Sequence, residues 1–118
     1  MHLREVDFGS ALPVDGYGAD FFRLGGVAHP APLMAVAGQV QPWAGYDDAD
    51  TLLALAGRVD VLLIGTGGQI AHIPASLRAR LEEAGLGVEV MDSPAACRTY
   101  NVLLSESRRV ALAVLPVG

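Results

Sequence analysis

Apolar and polar positions follow two different rhythms along the chain, and the change falls near residue 60. In the first half, short apolar runs are broken by glycine and proline. Phe21, Phe22, Arg23 and Leu24, then Gly25 and Gly26, then residues 27–29 predict a β-hairpin, because paired glycines supply the positive φ angles of a tight two-residue turn. Residues 33–37 and 38–43 predict a second pair of short strands interrupted at Gly38, with Pro32 and Pro42 where strand ends or edges tolerate them. Asp47, Asp48 and Asp50 then precede Leu52, Leu53, Leu55 and Ala56. Acids in a first turn complement the helix dipole, and Gly57 stops the short helix.

The second half alternates strands and helices. Residues 61–64 form an unbroken apolar run, which suits a parallel strand covered on both faces. A glycine loop, Gly65 to Gly68, follows. Pro74 suits the first position of a helix whose Leu77, Leu81 and Ala84 share a face and which ends at Gly85. Residues 87–91 read as the next strand. Ser93 is placed to cap a third helix with Ala96, Tyr100, Leu103 and Leu104 on one face, and residues 110–115 close the chain as an apolar strand. Strand, helix, strand, helix, strand is an α/β signature, with a right-handed crossover expected between residues 61 and 91.

Composition narrows the chemistry. With 118 residues, 52% hydrophobic and 18% charged, the chain is expected to form one domain over residues 1–118, and it is too apolar to be disordered. All eight basic residues are arginine, which excludes a Walker A lysine, a lysine Schiff base and a lysine general base. One cysteine and three scattered histidines, His2, His29 and His72, imply no structural metal, and no cofactor is indicated. The net charge of −5 is concentrated in residues 1–60, whereas residues 61–118 hold five arginines and five acids. Nucleic acid is therefore not an expected partner, since phosphate tracking needs clustered positive charge.

The first seven residues include Glu5 and Asp7, where a signal or transit peptide has only basic and apolar residues. The stretch without formal charge from 25 to 46 contains His29, two glutamines and three prolines, so it does not read as a membrane helix. A cytoplasmic location with a reduced cysteine is the simplest expectation.

Three blocks carry a family likeness: Leu62-Leu63-Ile64-Gly65-Thr66-Gly67, then Gly87-Val88-Glu89-Val90-Met91-Asp92, then residues 95–104 with Cys97, Arg98, Tyr100 and Asn101. In this order and spacing they resemble the small single-domain family of largely unknown function that includes mitochondrial respiratory complex I assembly factor 3. Tyr17-Gly18 and residues 21–26 also fit its N-terminal hairpin pattern. The resemblance implies a three-layer α/β fold with a central mixed sheet of about five strands, helices packed on it, and an extra N-terminal hairpin layer. It brings no established catalytic residues. Where the family pattern often has Lys or Arg after Gly-Thr-Gly, this chain has Gly68, Gln69, Ile70, Ala71 and His72.

The candidate site follows from topology. The loop from Gly65 to Ile73 has nine residues, more than the two to six usual in α/β units. If strands 61–64 and 87–91 are parallel neighbours, Gly65, Thr66, Gly67 and Gly68 meet Asp92 and Ser93 at the carboxyl ends, where open α/β sheets bind ligands. Free N–H groups there, with Arg98 one turn along, would favour weak binding of an anion, around millimolar. The plainer reading is that the glycines make a turn and Asp92 or Ser93 caps a helix. Cys97 beside Arg98 near a helix start could be a nucleophile with His72 as base, although a buried structural thiol is the stronger expectation. Asp92 or Glu89 is the expected partner of Arg98. Trp43 is expected to be half-buried at the sheet edge, and Asp47, Asp48 and Asp50 lack the spacing of a calcium loop.

These readings give two function classes. The leading one is an interaction or accessory protein of the cytoplasm, by analogy with assembly factors, acting through surface contacts on a protein partner. Its hydrophobic excess also suits pairing with a second copy. The alternative is a small-molecule or anion-binding domain or an enzyme, using Gly65, Thr66, Gly67, Gly68, Asp92, Ser93, Cys97 and Arg98.

Overall fold

The computed structural model describes residues 11–118, so the acidic opening of the chain lies outside the described residues. In chain order the elements are β1 (Val14–Tyr17), β2 (Phe21–Leu24), β3 (Val27–Pro30), β4 (Leu33–Val36), β5 (Gln39–Pro42), α1 (Ala49–Leu53), β6 (Val61–Gly65), α2 (Ala75–Glu83), β7 (Gly87–Met91), α3 (Ser93–Ser105) and β8 (Val110–Val114). Five strands form a mixed sheet in the order β5-β4-β8-β6-β7. β6 is parallel to both β7 and β8, whereas β4 is antiparallel to β5 and to β8. The expected α/β fold with a five-stranded mixed sheet is therefore present.

The hairpin of β2 and β3 forms around Gly25 and Gly26, which both have positive φ (56° and 84°). It is wider than the pattern predicted, because β1 joins it to make a three-stranded antiparallel sheet. A long-range contact also holds the start of this strand. Asn101 on α3 accepts from the Val14 N–H at 2.8 Å and donates to the Val14 carbonyl at 2.8 Å, replacing the neighbour that an edge strand lacks.

Side-chain alternation along each strand sends residues to opposite faces of the large sheet. Leu62, Ile64, Ala111, Ala113, Met34 and Val36 meet α1 and α2 through Leu52, Leu77 and Leu81. Leu63, Leu112, Val114, Leu33 and Ala35 meet α3 and the small sheet through Cys97, Tyr100, Phe22 and Leu24. The run at β6 is apolar without interruption because both of its faces are covered, as the sequence suggested.

Three local expectations change. Trp43 is buried rather than half-buried: it fills the α1 side of the core, and its Nε1 donates to the Asp48 carbonyl at 3.1 Å. Pro74 precedes α2 as its cap instead of opening the helix. Asp92, not Ser93, caps α3, accepting from the Ala95 N–H at 2.8 Å.

Candidate functional site

The parallel pairing of β6 with β7 places Gly65 opposite Met91, so the loop after β6 and the start of α3 meet at the carboxyl ends of the two strands. The structure thus brings Gly65, Thr66, Gly67, Gly68, Asp92 and Ser93 together. Their polar groups face one another. The Thr66 N–H donates to the Met91 carbonyl at 2.9 Å, and the Ser93 N–H to the Gly67 carbonyl at 2.7 Å. The Gly67 N–H donates to Ser93 Oγ at 2.9 Å, and that hydroxyl donates to the Leu115 carbonyl at 2.8 Å. Ser93 is fully buried and ties the loop, α3 and the segment after β8 into one knot.

Close packing explains the glycines. A Cβ on Gly65 would lie 2.7 Å from Ser93 Cα and 2.8 Å from Val114 Cγ1, so any side chain there forces the strand and helix apart. A Cβ on Gly68 would come within 2.7 Å of the Val117 carbonyl oxygen. The chain's own C-terminal segment therefore lies over the loop. Of the donors an anion would use, those of Thr66, Gly67, Ser93 and Ala95 are already committed to partners within the chain.

Cys97 sits in the α3-side core, and burial pushes its thiol up to about 12, against a smaller opposing effect of the Arg98 charge. A thiol so protonated is a poor nucleophile at neutral pH. His72 is exposed, and its neighbour Ile73 packs into the core on the other face of the sheet, away from Cys97. No base is held beside that thiol by the loop. Arg98 is exposed, and among the described residues the ion pairs are Arg23–Asp15, Arg78–Glu82 and Arg109–Asp60. Asp92 uses its carboxylate on the helix cap instead of on Arg98.

Beyond the knot, the rest of the long loop runs to α2 and borders a cleft of about 390 Å³ lined by Ile70, Ala71, His72, Ile73, Arg78 and Val90. Ile70, Ile73, Arg78 and Val90 were not among the candidate site residues. The excess loop length was the one signal for this cleft, whereas the glycines lie at the opposite end of the same segment.

Fold and site define a class: an α/β domain with a mixed five-stranded sheet, an accessory antiparallel sheet, and a glycine loop closed by its own hydrogen bonds. The chain belongs to the family described as protein of unknown function (DUF498/DUF598), whose profile matches residues 14–115. It is 51% identical over 117 residues to an uncharacterized protein of Rhodobacter capsulatus, an alignment covering 99% of this chain and 94% of that one. It is 26% identical over 119 residues to NADH dehydrogenase (ubiquinone) 1 alpha subcomplex assembly factor 3 of Xenopus tropicalis, covering 95% of this chain and 65% of that protein, or about two thirds of its length. A solved structure from Bartonella henselae, described as an outer membrane protein, matches with a TM-score of 0.82 and 32% identity over 92% of this chain and 97% of that one. Among the described residues, no helix is long and apolar enough to cross a membrane.

Proposed function

We propose that the chain is an accessory protein that acts by contact with a protein partner during assembly of a larger complex, without turnover of a substrate. The observation that carries this reading is the likeness to a protein named as a complex I assembly factor, which extends over 95% of the chain. The site chemistry agrees with it. The thiol is buried and protonated, and the Thr66 and Gly67 N–H groups of the glycine loop are spent on internal bonds. A cytoplasmic location is part of the proposal, supported by a single free thiol that suits a reducing compartment.

Capture of the tagged chain from its host, with mass spectrometry of the co-purifying proteins, tests the reading. Recovery of the subunits of one complex, with the chain in the soluble fraction, is the expected result. Recovery of the chain by itself, or turnover of a small molecule abolished by Cys97→Ser, would overturn it.

A further inference from the structure

Alternate residues of a parallel strand turn their N–H and C=O groups to the same neighbour. On β7 the Gly87 N–H donates to the Asp60 carbonyl at 3.1 Å, and the Met91 carbonyl accepts from the Thr66 N–H at 2.9 Å. Residues 87, 89 and 91 therefore face β6, and Val88 and Val90 turn their backbone groups outward. β7 ends the sheet, so among the described residues no strand meets them. The position of Arg78 agrees with this direction, since its Nη1 donates to the Val88 carbonyl at 3.4 Å.

The cleft described above lies along this edge. Ile70, Ile73 and Val90 give it apolar walls, and Ile70 is 68% exposed. Arg78 is its one formally charged lining residue. It is held to Glu82 by a 3.3 Å contact in which both side chains are about half exposed, an arrangement that contributes little. A guanidinium has five N–H donors, so Arg78 can accept a further carboxylate without losing its present partners.

The geometry points to this edge as a docking strip: an extended segment of a partner protein adds as a sixth strand beside β7, placing one apolar side chain in the cleft and a carboxylate on Arg78. The inference rests on the protein-contact reading above and gives it a surface. Main-chain pairing to Val88 and Val90 supplies affinity, and the cleft with Arg78 supplies selectivity. A second copy of this chain fits the strip poorly. Val88 and Val90 point their side chains to the α2 side, so Glu89 lies on the other face. In a two-fold pair of β7 strands, the register that uses all the outward groups sets Glu89 directly opposite Glu89, with like charges at cross-strand distance.

The test is an NMR titration of the ¹⁵N-labelled chain with an acetylated and amidated peptide, Thr-Val-Thr-Asp-Thr-Val-Thr, and its match with Lys in place of Asp. The expected result is that the Val88 and Val90 amides shift most, that the Asp peptide binds about tenfold more tightly than the Lys peptide, and that Arg78→Glu reverses the order. The dispersed spectrum of the variant shows whether it is folded. No response of Val88 and Val90 at ~1 mM peptide overturns the inference. So do shifts centred elsewhere, or equal affinity for the two peptides. A dimeric mass with both amides already protected in the free protein would overturn it in favour of a second copy. Host capture separates the two readings: a partner recovered equally by wild type and Arg78→Glu removes the strip and leaves the accessory role. Wild type without any partner removes the role, whatever the titration shows.

Discussion

The two edges of the large sheet are built to opposite ends. On β5 the Trp43 N–H donates inward to the Pro32 carbonyl at 3.2 Å, so Val40 and Pro42 are the residues whose backbone faces outward. Proline has no N–H, and that edge keeps a single outward donor. The hollow beside it, bordered by His29, Pro30 and Val40, measures about 70 Å³. On β7 two outward donors remain, next to a cleft of about 390 Å³. Edge strands invite pairing, and prolines are a common way of preventing it. The contrast teaches that, among the described residues, a proline removes a donor at one end of the sheet, whereas the other end keeps two outward N–H groups, with Arg78 on the Val88 carbonyl.

The largest expected effect comes from removing the support under the open edge. Leu81 is fully buried on α2, and Leu81→Ala is expected to cost about 2–5 kcal/mol in urea unfolding. It should also speed amide exchange along β7 more than along β5. Equal acceleration at both edges would mean that they open as one unit and would break the contrast.

Ser93→Ala comes next. It leaves the buried Gly67 N–H and Leu115 carbonyl without their partner, at an expected cost of about 1–3 kcal/mol. Amide shifts should concentrate in the loop and the segment after β8, with β5 unmoved. A stability within experimental error of wild type would show that the knot does not hold the end of β7 in place.

Hydrogen exchange in the unmodified protein reads the edges directly. The Val88 and Val90 amides are expected to exchange at least about tenfold faster than those of Glu89 and Met91, and Val40 faster than Gln41. Uniform protection along β7 would show that its edge is already covered.

The smallest effect is the pH dependence. Hydrogen bonds from Thr51 and from the Ala44 N–H hold the Asp48 carboxyl below its usual 3.8, just after β5. Arg109 does the same for Asp60, just before β6. A lowered folded-state value means that the contribution is present above 3.8 and is lost as pH falls through the lower folded value. Thermal unfolding followed down through that range should show a modest loss of stability, and Asp60→Asn should flatten the part that added salt also removes. An unchanged midpoint on acidification would show that neither carboxylate supports the fold.

Much of the fold was legible because local chemistry and burial pattern agree. Gly25 and Gly26 specify a turn whatever surrounds them, and the apolar run of β6 shows that both faces of the strand are covered. β1 was not legible, since Val14, Asp15, Gly16 and Tyr17 have no strand pattern of their own: they pair with β2, and Val14 is also held by Asn101, 87 positions away. The glycine loop and the start of α3 were correctly brought together, but Ser93 could not be separated from Asp92 as the cap. Both residue types cap helices, and only the packing of the last segment against the loop buries one of them.

By itself, the sequence determined the order of strands and helices from β2 onward, the two-sided burial of β6 and the exclusion of lysine chemistry, because these depend on residue type and short-range period. The tertiary structure decided which amides are spent and which are free. Whether a backbone group faces a neighbour or the solvent depends on strand order and register, which join residues such as Gly87 to Asp60 and Thr66 to Met91 across long stretches of chain. The open edge at Val88 and Val90 exists only at that level, since the same two valines in the middle of the sheet would have no outward groups to offer.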